Sequence, residues 1–178
     1  MASSLPFRDV DAFAPATDRA VRIFTSRGAS GIDGTLATAL GEAIALAPAP
    51  VVALVGDLAC LHDAGGLLHA GEVADAVNLT VVVPDNGGGG IFGQLPIAAH
   101  PDAFERCFLT PQRADLGRLA GAAGVRYARI TQRAALEEAL ARAVQAPGVD
   151  VLHVPVDRVA SAARRRAAWA AASGGGEA

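Results

Sequence analysis

Two short apolar runs, Val51-Val52-Ala53-Leu54-Val55 and Leu79-Thr80-Val81-Val82-Val83, stand out from a chain whose other apolar positions fall mostly in longer, helix-like stretches. Runs this short and rich in valine, without polar alternation, predict strands covered on both faces, as in a parallel sheet flanked by helices. Residues 63–77 lie between them and predict the crossover helix that joins such a pair. Upstream, the Ala- and Leu-rich stretch 32–47, carrying Leu36, Leu40, Ile44 and Leu46, predicts a helix stopped by Pro48 and Pro50. Downstream, 115–123 predicts a short helix, 125–130 a strand, 132–144 a helix and 151–154 a strand. Val21-Arg22-Ile23-Phe24 is a further candidate strand and 159–172 a closing helix. This alternation predicts an α/β fold of three layers, a mostly parallel central sheet with helices on both faces.

Two regions break the rhythm. Residues 91–111 contain Phe92, Pro96, Pro101, Phe104 and Phe108, and are expected to form a long functional loop or broken helix held down by its aromatic rings. Residues 1–20 mix Asp9, Asp11 and Asp18 with Pro6 and Pro15, the composition of an entry loop or the remnant of something upstream. The expected organisation is therefore an N-terminal loop over 1–20, one domain over 21–157, and a C-terminal helix and tail over 158–178, with the small residues from 173 onward fraying.

Composition narrows the function. A length of 178 residues and 52% hydrophobic content suit one sizeable core. Fifteen basic against eighteen acidic side chains leave a formal charge of −3, so there is no general positive field for nucleic acid, and Arg164-Arg165-Arg166 reads as a solvated or acid-paired helix face. No run is long enough to span a bilayer and the first residues lack a secretory pattern, so a cytoplasmic location is expected. Cys60 and Cys107 fit reduced core thiols better than a disulfide framework or a four-thiolate zinc site.

The chemistry concentrates at two strand ends. Gly56-Asp57-Leu58 follows the first apolar run, and Asp85-Asn86-Gly87-Gly88-Gly89-Gly90 follows the second. Open parallel sheets present ligands beyond the carboxyl ends of their strands, so the two segments are placed to converge. Magnesium takes hard oxygen ligands, typically one or two carboxylates with amide or carbonyl oxygens, phosphate and water. Asp57, Asp85 or Asn86, and the Gly87 carbonyl supply such a set, while the glycines let backbone approach a diphosphate. The same residues also read as a helix cap at Asp57 and an ordinary turn at Asp85-Asn86-Gly87. Gly28-Ala29-Ser30-Gly31-Ile32-Asp33-Gly34 lacks the order of a dinucleotide fingerprint, and a chain with no lysine cannot hold a P-loop. His62 and His69 follow the first segment without a metal-ligand spacing, and His100 and His153 stand outside any motif.

Three ordered segments, Ser26-Arg27-Gly28-Ala29-Ser30-Gly31-Ile32-Asp33-Gly34, Gly56-Asp57-Leu58 and Asp85-Asn86-Gly87-Gly88 with Ile91-Phe92, resemble the C-terminal thiamine-diphosphate-binding domain of the 2-succinyl-5-enolpyruvyl-6-hydroxy-3-cyclohexene-1-carboxylate synthase (MenD) family of menaquinone biosynthesis. The resemblance runs from about Val21 to Asp157. It implies a thiamine-diphosphate-binding fold, thiamine diphosphate and Mg2+ as cofactors, and a reaction that decarboxylates 2-oxoglutarate and adds the succinic semialdehyde unit to isochorismate. By resemblance Asp57 binds the metal through its side chain. Anchoring on Asp-Asn-Gly makes Asp85 and the Gly87 carbonyl the other protein ligands, whereas anchoring on Ile91-Phe92 makes them Asn86 and Gly88. Gly56, Leu58 and Ile91 would line the cofactor, Arg27 would face a substrate carboxylate through its planar donor fork, Ile32 would support the bent cofactor, and Phe92 would shape the substrate pocket.

The resemblance also implies what else the reaction needs. An activating glutamate comes from a pyrimidine-binding domain, normally on a partner subunit of a homo-oligomer, and neither Glu42 nor Glu72 occupies that domain's motif. The isolated chain is expected to be inactive, as a fragment, a truncated product or half of a split enzyme. Two other readings stay open: a fragment of another thiamine-diphosphate-dependent 2-oxo acid decarboxylase or synthase, and a noncatalytic structural or assembly module.

Overall fold

The structure, a computed structural model, describes residues 1–174. Its centre is a four-stranded, all-parallel sheet in the order β1-β2-β4-β3, formed by β1 (Val51–Leu54), β2 (Asn78–Asp85), β3 (Arg126–Arg129) and β4 (Gly148–Pro155). The second apolar run meets the expectation, β2 being buried from Asn78 through Val83 because both its faces are covered, but the first does not: on the edge strand β1 only Ala53 is buried and Val52 is exposed. On one face, Ala53, Val55, Leu79, Val81, Val83, Val149 and Val151 pack with α2 (Thr35–Leu46), α3 (Asp57–His62), α4 (Ala64–Glu72) and α6 (Leu116–Ala122). On the other, Val82, Ile130 and Leu152 pack with Ala139, Leu136 and Leu140 of α7 (Arg133–Ala143). Alternate residues of one strand therefore feed two cores, and the fold is the expected three-layer α/β sandwich.

Helix α2 is joined to the turn between α3 and α4 by a carboxylate. The Leu36 and Ala37 amides, unpaired donors of its first turn, donate to Asp63 Oδ2 at 2.6 and 2.9 Å. The helices pass so closely that a Cβ on Gly66 would lie 2.6 Å from the Ala37 nitrogen. Residues 91–111 form the broken helix that their prolines and aromatics suggested: 3₁₀ turns at Gly90–Gln94 and Pro96–Ala99, then α5 (Pro101–Phe104) and a π turn at Glu105–Leu109.

Three expectations change. Residues 21–24 form no strand: the free edge of β1 is met instead by the start of the chain, where the Ala2 amide donates to the Leu54 carbonyl at 2.9 Å, and Val21 and Ile23 stay exposed outside it. The stretch read as an entry loop contains α1 (Leu5–Phe13), fixed by tertiary partners on α8 (Arg158–Gly174). Asp9 accepts from Arg165 Nε and Nη2 at 2.9 and 2.7 Å, and Phe13 meets Trp169 with ring centroids 6.1 Å apart. Cys60 is a core thiol pushed up to about 12 by burial, but Cys107 is exposed on the π turn. Residues 175–178, the end of the expected tail, lie outside the described residues. Among the described residues no helix is long and apolar enough to cross a membrane.

Candidate functional site

A cavity of about 500 Å³ opens beyond the carboxyl ends of β1, β2 and β4. Its floor comes from the strand ends and the turns that follow them: Leu54, Gly56, Asp57 and Leu58 after β1, Pro84, Asn86 and Gly88 through Gly90 after β2, and Val156 after β4. Gly31, Ile32, Ile91 and Phe92 add further wall, and α1 with the residues before it supplies Ala2 through Pro6 and Asp9. Parallel strands end in register, so residues remote in sequence meet here.

Asp57 is the buried charge of the site, 7% exposed at the start of α3. Its Oδ2 accepts the Gly88 amide at 2.6 Å, which ties the first segment to the second. Burial raises its pKa to about 6, reinforced by a hydrogen bond shared with Asp85 and opposed by the Leu58 and Gly88 amides. Asp85 moves the other way. Burial works against its ionisation, but the Gly87 amide, His153 and Asp57 outweigh that and hold its pKa below the ordinary value.

Asp85 and Asn86 are adjacent in sequence but differently placed. Asp85 Oδ1 accepts from the Gly87 amide at 2.9 Å, and its Oδ2 meets His153 Nε2 at 2.8 Å. Asn86 lines the cavity, and its Oδ1 is buried without a hydrogen-bond partner. A buried amide oxygen left unpaired costs about 1–3 kcal/mol, and a bound ion is among the few things that explain one.

The glycine turn is held from beneath. Gly89 donates its amide to the Leu109 carbonyl at 2.7 Å, and Gly88 has φ +131 with its Cα so close to that carbonyl that a Cβ would collide with it. The π turn at Glu105–Leu109 is thus a platform for the glycines, and Phe108 meets Phe92 edge-on at 5.7 Å.

Most residues singled out in the sequence come together: Gly56, Asp57, Leu58, Asn86, Gly88, Ile91, Ile32 and Phe92 all line the cavity. Gly87 and Asp85 stand behind it in the turn. Arg27 lies in the adjoining groove, its guanidinium 4.6 Å from the Phe7 ring centroid beside Arg8, Gln94 and Arg165, and that groove shares Asp9 and Arg165 with the cavity. His62 and His69 are exposed and line neither. Sequence reasoning missed His153, Ser4 and Arg165. His153 is an isolated histidine whose partner is set only by strand register. Ser4, at φ +73, turns the chain into α1 against the cavity.

Among the described residues no group of three or more His, Cys, Asp or Glu side chains could hold a metal ion. A soft, nitrogen- or sulfur-rich centre does not match this site. One carboxylate, one orphaned amide oxygen and a glycine backbone do match a hard cation completed by phosphate and water.

The fold and the cavity define an open parallel α/β domain whose ligand site lies beyond the carboxyl ends of its strands. The family model "Thiamine pyrophosphate enzyme, C-terminal TPP binding domain" matches residues 12–154, and the chain belongs to that family. It is 44% identical over 170 residues to a 2-succinyl-5-enolpyruvyl-6-hydroxy-3-cyclohexene-1-carboxylate synthase of Synechococcus elongatus, covering 96% of this chain and 28% of that protein. The synthase of the same name from Myxococcus xanthus is 44% identical over 172 residues, covering 96% of this chain and 28% of that protein. The chain thus spans under a third of the length of these relatives. Among solved structures, a thiamine diphosphate-dependent 4-hydroxybenzoylformate decarboxylase of Rhodococcus jostii superposes with a TM-score of 0.59 at 20% identity, over 69% of this chain and 23% of that one. A benzoylformate decarboxylase of Polynucleobacter necessarius gives 0.58 at 23% identity, over 70% and 23%. These two share the fold.

Proposed function

We propose that the chain is the cofactor-binding C-terminal part of a thiamine-diphosphate-dependent synthase that decarboxylates 2-oxoglutarate and adds the succinic semialdehyde unit to isochorismate. The observation that carries the reading is the orphaned Asn86 Oδ1 beside buried Asp57 in one cavity, within a chain that is 44% identical to synthases of that name. Asp57, Asn86 Oδ1 and the Gly88 carbonyl hold Mg2+, and the glycine turn lies against the diphosphate. When bound, the cofactor supplies a nucleophilic carbon and an electron sink for loss of carbon dioxide.

This chain's own residues bind and orient. Ile32, Ile91 and Phe92 give the cavity an apolar wall against which the cofactor would pack. Arg27, over the Phe7 ring in the adjoining groove, would receive a substrate carboxylate. Catalysis requires a pyrimidine-binding domain from a partner, so the reading implies a homo-oligomer or a two-chain enzyme in the cytoplasm. Mixing the chain with the complementary segments of a related synthase and following carbon dioxide release from 2-oxoglutarate, with and without isochorismate, tests it. Consumption of both substrates only in the mixture is expected. Turnover of other 2-oxo acids with no response to isochorismate would show the substrate assignment to be wrong.

A further inference from the structure

Tyr127, His153 and Asp85 stand on three neighbouring strands. In the parallel ladders Tyr127 is opposite Val151 and Val83 is opposite His153, so His153 lies two residues beyond Tyr127's level and Asp85 two residues beyond His153's. Steps of two keep all three on one face of the sheet, on a diagonal that climbs toward the cavity. The side chains close that diagonal into a hydrogen-bonded line, Tyr127 Oη to His153 Nδ1 at 2.8 Å and His153 Nε2 to Asp85 Oδ2 at 2.8 Å. Because the Asp85 carboxylate only accepts, Nε2 carries the hydrogen, and in the neutral ring Nδ1 accepts the hydrogen bond that the Tyr127 hydroxyl donates. With the Gly87 amide on Oδ1 and His153 on Oδ2, both carboxylate oxygens of Asp85 are engaged within the protein. Asn86 Oδ1 is not.

We propose that Tyr127 and His153 are positioning residues that clamp Asp85 as the anchor of the glycine turn, and thereby make Asn86 the side chain presented to the cation. The inference rests on the magnesium reading above and adds to it the residues that decide between two adjacent candidate ligands. Packing supports the clamp at its outer end: a Cβ on Gly117, in the first turn of α6, would press to 3.1 Å from the Tyr127 ring, so the ring is seated against that helix. His153 is only 12% exposed in its side chain, which leaves it little freedom to release Asp85. Partners behind metal ligands commonly govern affinity by about 10–100-fold.

The test uses manganese(II) as the probe, read by its paramagnetic resonance signal in the presence of thiamine diphosphate, on the full chain with the complementary pyrimidine-binding domain. His153→Ala is expected to weaken manganese binding about tenfold, and His153→Gln, whose amide can still donate to Asp85, to recover most of that loss. Asp85→Ala is expected to match His153→Ala, and the double variant to be no weaker than either, because both remove one coupled interaction. Thermal melting of each metal-free variant checks that the fold is kept. Unchanged affinity in His153→Ala beside a binding wild type would overturn the clamp alone. So would additive losses in the double variant, or a loss that His153→Gln fails to restore. A wild type that holds no manganese would remove the magnesium reading and the clamp with it.

Discussion

Asp57→Asn should separate the cost of the site from its use. The folded protein raises the Asp57 carboxyl from 3.8 to about 6, chiefly by burial. Such a group favours the fold as the acid: its contribution is fully present below the unfolded value and is lost as pH rises through the folded one. At about 1.36 kcal/mol per pKa unit, the metal-free protein loses up to about 3 kcal/mol at pH 8 by ionising Asp57, and roughly half of that at pH 5. Asparagine keeps an oxygen for the Gly88 amide and removes the charge. Urea denaturation of the metal-free chain at pH 5 and pH 8 should therefore find Asp57→Asn more stable than wild type, by a margin that grows toward pH 8. Magnesium with thiamine diphosphate and the complementary domain should reverse the order, stabilising wild type alone. A metal-free variant less stable than wild type at pH 8 would refute the burial argument.

Further outcomes follow from neighbouring contacts. Asn86→Ala removes an oxygen with no partner, so metal-free stability should stay within about 1 kcal/mol or rise while magnesium-dependent cofactor binding is lost, both read by thermal shift. Asp85 should show the opposite pH sign to Asp57. Its lowered pKa stabilises the fold above the ordinary carboxylate value and is lost as pH falls through the folded value, so Asp85→Asn should flatten the acid limb of a stability-against-pH curve. Asp63→Ala should cost about 1–2 kcal/mol in urea by uncapping Leu36 and Ala37, with Asp63→Asn recovering part. Gly71→Ala would drive a Cβ into the Ala123 carbonyl, and should cost about 1–3 kcal/mol by calorimetric melting because backbone cannot swing aside.

The parts of the structure legible in the sequence are those with a local cause. The valine run of β2 is buried on both faces as its lack of polar alternation required, although edge strand β1 leaves Val52 exposed, and the two segments after these strands fall at the same edge of a parallel sheet. What stayed hidden depends on distant partners. Helix α1 has acids and prolines that read as a loop until Arg165 and Trp169 of α8 are set against Asp9 and Phe13. Residues 21–24 have a strand's composition, but the edge they would join is met by Ala2. Spacing left Asp85 and Asn86 equivalent; that His153 engages Asp85 and leaves Asn86 Oδ1 without a partner becomes visible only once β2 and β4 are paired in register.

Asp57 and Asn86 are proposed to form a cation site for a diphosphate cofactor. Its most direct test is a calorimetric titration of thiamine diphosphate into the chain, with magnesium and with chelator, first alone and then with a pyrimidine-binding domain from a related synthase. Magnesium-dependent binding is expected in at least one format, abolished by Asn86→Ala. A folded chain that binds nothing in either format, or binds equally well with chelator, would contradict it.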